Sequence, residues 1–164
     1  MDGVKQGLHQ YYDLEKQTDI CSLNTGRVMA KIGVNDRDKE PDKIVVDFVI
    51  IDNQPHLNSR GVTYLSKWVR TLYLVTTNKQ HPAHTCELEN VRVIPFENSI
   101  DFNHLFEVLK TKHGVERITI QSGGTLNAKF IRDGLIDHLS VVIAPLVVGG
   151  SATSTLVDGE SLHT

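Results

Sequence analysis

Residues 44–51 read Ile-Val-Val-Asp-Phe-Val-Ile-Ile, an almost unbroken run of β-branched and aromatic side chains. A strand with one face in water alternates apolar and polar residues, whereas a strand covered on both faces is apolar along most of its length. The run therefore predicts a strand that is buried on both faces.

Strands and helices alternate in the second half of the chain. The segment Asp101–His113 has apolar residues at helical spacing, Ser99 or Asp101 can cap its start, and Gly114 can end it. Such alternation predicts an α/β fold with a largely parallel sheet. The other predicted elements are helices at Gly7–Gln17 and Leu126–Asp133, strands at Asp19–Leu23, Leu72–Val75, Val91–Ile94, Arg117–Ile120 and His138–Ala144, and an exposed loop at Asn35–Lys43.

The composition is that of an ordinary globular protein, and 164 residues predict one domain. A net charge of −3 gives no general attraction to nucleic acid or anionic membranes, and no apolar run approaches the roughly 20 residues of a membrane span. The polar N-terminus is unlike a signal peptide, and two distant cysteines, Cys21 and Cys86, give no disulfide framework. We therefore expect a cytoplasmic protein without membrane or nucleic-acid partners.

The segment Gln121–Asn127, Gln-Ser-Gly-Gly-Thr-Leu-Asn, joins a predicted strand to a predicted helix. A strand that ends in glycines and opens a helix leaves backbone N–H groups free at the helix start, where the helix dipole also favours an anion. The alternative is a tight turn that needs glycine only for its backbone angles. Spacing alone leaves the two interpretations about even, and the first predicts a phosphorylated ligand.

Two other polar loops also follow predicted strands. Arg27, in Asn24–Arg27, could pair with a phosphate, and the hydroxyls and lysine of Thr76–Lys79 could hold a ribose or a 2′-phosphate. Taken singly, each is better explained as an ordinary surface loop. Ligands of α/β sheets gather at the carboxyl ends of the strands, so three such loops together favour a nucleotide cleft.

Other catalytic patterns are weak. His81, His84 and Cys86 lie close together, but Pro82 intervenes and no second ligand pair exists, so we expect no metal site. The chain contains no nucleophile elbow, no Walker sequence and no full dinucleotide fingerprint. Nothing in the residues alone marks Asp2 as catalytic.

Three segments carry a resemblance to a known family: Ile120–Asn127, Ile131–Asp137 and Ile143–Gly150. They look like the C-terminal reductase domain of RibD, a riboflavin-biosynthesis family with a dihydrofolate-reductase-like fold. Gly26-Arg27-Val28 resembles the family's second cofactor loop, and Met1-Asp2-Gly3 resembles the remnant of its Ser-x-Asp-Gly turn. The resemblance spans nearly the whole chain.

The resemblance implies a mixed, mostly parallel sheet and an NADPH-dependent reduction of a ribosylaminopyrimidine 5′-phosphate, with hydride delivered to C1′ of the ribosyl group. It also implies a homodimer and a phosphorylated small molecule as substrate. Asp2 would be catalytic and Gln121 would contact the substrate. The implied cofactor-binding residues are Gly26, Arg27, Asn53, Gly123, Gly124, Thr125, Leu126 and Asn127.

The chain departs from the family at two site positions and at both ends. Gln121 stands where the family often has Glu, and Met29 stands where it commonly has Thr. Relative to the family, residues 1–164 are expected to lack the first strand and the last strands. These departures leave two alternatives: another pyrimidine- or pteridine-type reductase on the same fold, or a non-catalytic nucleotide-binding relative.

Overall fold

A computed structural model of the chain describes residues 2–18, 20–143, 147, 149 and 155–159. The chain divides into two compact units. The sheet unit is Asp19–Gln121, and the terminal unit combines Met1–Thr18 with Ser122–Thr164. The elements are α1 (Asp2–Thr18), β1 (Cys21–Thr25), α2 (Gly26–Lys31), β2 (Asp47–Ile51), α3 (Ser59–Trp68), β3 (Leu72–Thr76), β4 (Val91–Pro95), α4 (Phe102–His113), β5 (Thr119–Ile120) and α5 (Gly124–Arg132), with 3-10 helices at Val34–Asp36 and Pro82–Thr85.

The five strands in the described part of the chain are parallel and lie in the order β4-β3-β2-β1-β5. In the register of the sheet, Leu23 is opposite Val49 on one side and Ile120 on the other, and Val49 is opposite Tyr73. Every residue of β3 is buried, whereas the edge strand β4 is half-exposed. The predicted α/β class with a parallel sheet is confirmed.

The predicted strand at 44–51 begins only at Asp47. Ile44 donates its backbone N–H to Trp68 O, and Val46 O accepts from the N–H of Arg70, so these residues bond to the α3–β3 connection. Val45 is 77% exposed. The buried part of the prediction is confirmed for β2, in which four of the five residues are buried.

The helices of the sheet unit bury apolar stripes against the strands. Leu65 of α3 and Leu109 of α4 are fully buried, and burial of a leucine side chain stabilises a fold by roughly 1.5–3 kcal/mol. The predicted ends of α4 are confirmed, because Asp101 accepts from the N–H of His104 and Gly114 has a φ of 68°. Sequence reasoning did not identify α3.

In the terminal unit, α1 begins at Asp2, earlier than the predicted start at Gly7. Asp2 and Gly3 therefore lie in the first turn of a helix, and the turn expected at Met1-Asp2-Gly3 is not found there. The helix predicted at 126–133 is observed as α5, and Gly134, with a φ of 66°, follows it. Among the described residues, no helix is long and apolar enough to cross a membrane.

The strand predicted at 138–144 is wrong for the residues that the structure describes there, 138–143, which form no regular element. Val141 and Ile143 are 53% and 83% exposed. High β-propensity produces a strand only where a neighbouring strand supplies a hydrogen-bonding ladder, and these residues take part in none. Ala144 lies outside the described residues.

Candidate functional site

The strand order of the sheet unit places a topological switch point beside β1. The chain proceeds from β1 to β2 on one side, whereas β5 pairs with the other side of β1. Ligands of parallel α/β sheets bind outside the carboxyl ends of the strands at such a point. The carboxyl ends of β1 and β5 lead directly into two of the predicted site segments, at Gly26 and Gln121.

Gly26 follows β1 and is packed against a carboxylate. A Cβ atom at this position would overlap the side chain of Asp52. Thr25 caps α2 by accepting the N–H of Val28, which holds the loop in place. The exposed Arg27 follows, and no described residue forms an ion pair with it. The structure thus requires glycine at position 26 and leaves the neighbouring guanidinium available to an anion.

Asn53 and the loop after β3 are joined by a hydrogen bond. The Asn53 Oδ1 atom accepts from the N–H of Thr77 at 3.0 Å. The hydroxyl of Thr76 donates to Asp52 O and accepts from the N–H of Asn78, whereas Lys79 is exposed. Most of the polar residues after β2 and β3 therefore hold the loops in place through these hydrogen bonds. In the loop Thr76–Lys79, only Lys79 has a charged side chain that is exposed to solvent.

Gln121 lies at the end of β5 and is tied to β1. Its N–H donates to Leu23 O, and its Oε1 atom accepts from the Nδ2 atom of Asn24 at 3.4 Å. Asn24 is 5% exposed and also donates to the hydroxyl of Ser22. The polar side chains of β1 therefore fix the amide oxygen of Gln121 at the switch point.

The glycine pair of the terminal unit opens α5. Gly123 is the N-cap, with φ −81° and ψ 168°, angles that any residue adopts, and a Cβ atom there would contact nothing within 4 Å. At Gly124, in contrast, a Cβ would lie 2.6 Å from the Asp158 carboxyl carbon and 2.7 Å from Thr155 O. Gly124 is required by packing, whereas neither backbone angles nor described neighbours require glycine at 123.

The first turn of α5 lacks a side-chain cap. The N–H groups of Leu126 and Asn127 donate to Gly123 O, and no described residue accepts from those of Gly124 and Thr125. The Asn127 side chain accepts from the hydroxyl of Ser122 at 2.6 Å and donates to Leu156 O at 3.0 Å. Asn127 therefore holds the turn together, and the first backbone N–H groups are left for a ligand.

An open groove of about 490 Å³ runs along α5 within the terminal unit. Its lining includes Thr125, Leu126, Lys129 and Arg132. Lys129 donates to Asp133 at 2.8 Å, so part of its charge is already balanced. The predicted residues Thr125 and Leu126 thus face a cavity large enough for part of a nucleotide.

Sequence reasoning missed a buried carboxylate, Asp52, which is 2% exposed. One of its oxygens, Oδ1, accepts from the N–H and the ring Nδ1 of His56, and Oδ2 accepts from the N–H of Leu57 and from His81 Nε2. Burial alone would raise the pKa of the Asp52 carboxyl, but these hydrogen bonds, that of His81 foremost, outweigh it and hold the pKa below its ordinary value. The signal in the sequence was an acid at the end of the most apolar strand.

Asp2 and His81 are the remaining residues that the sequence analysis singled out. Asp2 lies in α1, but its side chain is outside the described part of the structure, so its catalytic role stays a prediction. His81 is fully buried, and its Nδ1 accepts from the N–H of Ala83 while Nε2 faces Asp52. It therefore has a structural role in the described region, where no group of three acidic, histidine or cysteine side chains could hold a metal ion.

Comparison with known proteins gives a consistent set of relatives. A family model described as the RibD C-terminal domain matches residues 17–164. The chain is 28% identical over 170 residues to the 2,5-diamino-6-ribosylamino-4(3H)-pyrimidinone 5′-phosphate reductase of Methanothermobacter thermautotrophicus, an alignment that covers 96% of this chain and 74% of the relative. A protein of the same name from Archaeoglobus fulgidus is 35% identical over 65 residues, which are 40% of this chain and 29% of that protein.

Among solved structures, RibD of Acinetobacter baumannii superposes with a TM-score of 0.64 at 18% sequence identity. The match covers 96% of this chain and 44% of the RibD chain. The chain therefore has the fold of the corresponding part of RibD and spans less than half of that protein's length.

Proposed function

The chain belongs to the family of the RibD C-terminal domain, and from this premise we propose that it is an NADPH-dependent reductase of a ribosylaminopyrimidine 5′-phosphate in riboflavin biosynthesis. The two named relatives carry the reductase name, which supports this activity over a non-catalytic role.

The observation that carries the proposal is the unexplained glycine at position 123. Its backbone angles suit any residue and a side chain would meet no described neighbour, so the protein alone gives no reason for glycine. A ligand that approaches the backbone closely would supply one. The uncapped first turn of α5 offers N–H groups and the positive end of the helix dipole, which fit a phosphate of the cofactor.

The other site residues divide between the two ligands. Arg27, exposed and without a described ion-pair partner, supports a phosphate contact at the β1–α2 loop. Asn53 would lie near a ribose or the 2′-phosphate of the cofactor. Gln121, fixed by Asn24, would face the substrate, and Asp2 would lie near the reacting carbon.

The reaction requires positioning more than covalent chemistry from the chain. When bound, a reduced nicotinamide would supply a hydride to C1′ of the open imine form of the substrate, and the imine nitrogen would gain a proton from the medium or a side chain. The product is a ribitylamino chain. The residues of the chain bind the phosphates and orient both partners.

The test of this function is a titration of the purified chain with NADPH, with NADH alongside, followed through cofactor fluorescence and the fluorescence of Trp68. We expect saturable micromolar binding that prefers NADPH, and cofactor oxidation when the ribosylaminopyrimidine 5′-phosphate is added. Binding without oxidation would favour the nucleotide-binding relative, oxidation only with another pyrimidine or pteridine would favour the alternative reductase, and no binding by a folded sample would exclude both reductases.

A further inference from the structure

Of the two described side chains that bond to the Asp52 carboxylate, His56 and His81, the ring of His56 is not enclosed. Its ring is 37% exposed, whereas Asp52 and His81 have fully buried side chains. The backbone of His56 is held on both sides, because its N–H donates to Asp52 and its carbonyl accepts from Asn35 Nδ2 at 2.7 Å. The ring therefore projects from a rigid loop.

The carboxylate also fixes which ring nitrogen carries the proton. Asp52 is ionised and can only accept, so the Nδ1 atom of His56, at 2.9 Å, must be the donor. In neutral histidine the other nitrogen, Nε2, then has a free lone pair. The half-exposed part of a neutral His56 ring is thus a hydrogen-bond acceptor whose orientation is set by Asp52.

The position of this acceptor links it to the site. The loop of His56 follows the carboxyl end of β2, and the carboxylate that holds the ring is also packed against Gly26 at the end of β1. The ring therefore belongs to the ligand-binding edge of the sheet unit. The backbone N–H groups of His56 and Leu57 also donate to Asp52, so the loop is held to the carboxylate without the ring bond.

We propose, on the basis of the function proposed above, that His56 is a binding residue whose Nε2 atom accepts a hydrogen bond from a ribose hydroxyl of the bound ligand. Asp52 is the positioning residue that sets the ring and its protonated nitrogen. The hydroxyl belongs to a ribose of the cofactor, because the same carboxylate contacts the β1–α2 loop, although the substrate carries a ribosyl group of the same chemistry.

The experiment compares two substitutions of His56. One keeps the hydrogen bond that Nδ1 makes to Asp52, and the other keeps a polar group near the position of Nε2. His56→Asn places an amide N–H where Nδ1 was and keeps the bond to Asp52, but it removes the acceptor at Nε2. His56→Gln places an amide group near the Nε2 position and gives up the bond to Asp52. His104→Asn, which changes an exposed histidine of α4, is the matched control.

For His56→Asn we expect a thermal midpoint like that of the wild type and a roughly tenfold weaker affinity for NADPH. His56→Gln keeps an amide group near the Nε2 position but loses its bond to Asp52, so its affinity for NADPH should lie between those of His56→Asn and the wild type. His104→Asn should be unchanged. The wild type should also bind one NADPH analogue, which lacks the ribose hydroxyl that Nε2 accepts from, more weakly than it binds NADPH. His56→Asn should bind that analogue and NADPH equally well.

The source of the hydroxyl is decided by a second arm. If NADPH affinity is unchanged in His56→Asn but the KM for the ribosylamino substrate rises about tenfold, the hydroxyl belongs to the substrate and the acceptor role holds. If neither changes, or if binding is lost in His56→Gln but kept in His56→Asn, the proposal is wrong. Failure of the folded wild type to bind NADPH would instead overturn the proposed function itself.

Discussion

Gly26 and Gly123 each follow a strand or open a helix, yet only one of them is required by its protein neighbours. Gly26 lies against a carboxylate that is held by several donors and cannot move cheaply, whereas Gly123 borders open space. An added side chain at position 26 is therefore expected to lower stability, whereas one at position 123 is expected to weaken ligand binding.

Substitution of Gly123 tests the phosphate contact. Gly123→Asp adds a negative charge where a phosphate is expected to bind, so NADPH affinity should fall at least roughly tenfold below that of Gly123→Asn, which adds the same bulk without charge. Both variants should be as stable as the wild type or more so, since Asp and Asn are good N-cap residues. The measurements are cofactor titration and urea unfolding; equal NADPH affinity in the wild type and both variants would refute the phosphate assignment.

Substitution of Gly26 tests the packing against Asp52. Gly26→Ala forces a methyl group into the carboxylate, and we expect the free energy of unfolding to fall by about 1–3 kcal/mol. Lys31→Ala, an exposed change on the same helix, should stay within about 0.5 kcal/mol of the wild type. Urea unfolding of both proteins makes the comparison, and an unchanged Gly26→Ala would show that the carboxylate moves freely.

Helices α3 and α4 each begin at a residue whose side chain caps the first turn. Asn58 accepts from the N–H of Gly61 at 2.9 Å and so caps α3. Asn58→Ala should lower the free energy of unfolding by about 1 kcal/mol, while Asn58→Asp, which keeps an acceptor, should lose much less. The urea midpoint at constant m-value reports the difference; a similar loss in both variants would mean that the cap is not the source.

Local signals explain which elements the sequence predicted. The apolar run before Asp52 and the capping residues of segment 101–114 are local signals that can be read from the sequence. The types of β2 and α4 were therefore predicted correctly, and most of their bounds were as well. The segment 138–143 was predicted wrongly because β-propensity does not report whether a partner strand is present.

The site was predictable only in part, for a similar reason. Gly123 and Gly124 can be recognised in the sequence as a turn. The requirement for glycine at position 26, in contrast, comes from its contact with Asp52, which is 26 residues away and is buried only in the folded chain. His56 was missed because nothing near it in the sequence resembles a binding motif. Contacts between distant residues, such as those of the Asp52 carboxylate, are set by the topology of the sheet.

Acid should destabilise the folded chain partly through protonation of Asp52. Its pKa is lower in the folded chain than in the unfolded one, so its contribution is complete above the ordinary pKa of an aspartate and is lost as the pH falls through the folded value. Between roughly pH 5 and pH 2, the free energy of unfolding should fall less steeply in Asp52→Asn than in the wild type.

The control for this pH dependence is Glu40, whose pKa is lowered by hydrogen bonding to Lys67 at the surface. Because the side chains of Glu40 and Lys67 are both exposed, salt should screen the effect of Glu40→Gln on the loss of stability at low pH. The effect of Asp52→Asn should persist in salt. If the free energy of unfolding falls equally steeply with pH in the wild type and in Asp52→Asn, the lowered pKa of Asp52 in the folded chain is contradicted.

The family resemblance also predicts that two copies of the chain associate. We expect sedimentation as a homodimer at micromolar concentration, unchanged in Gly123→Asp. A monomer at that concentration would contradict the predicted assembly without touching the binding predictions.

The Asp52 carboxylate joins β2, the loop at His56 and Leu57, the 3-10 helix at 82–85 through His81, and the close approach of Gly26. Proteins open locally in cooperative units, and we expect segments bonded to one buried carboxylate to open as a single unit. In deuterium exchange, the amides of His56 and Leu57 should therefore exchange as slowly as those of the central strands, although they belong to a loop. The ligand-binding edge would then be among the last parts of the sheet unit to unfold, and its cofactor would meet a surface already fixed in shape.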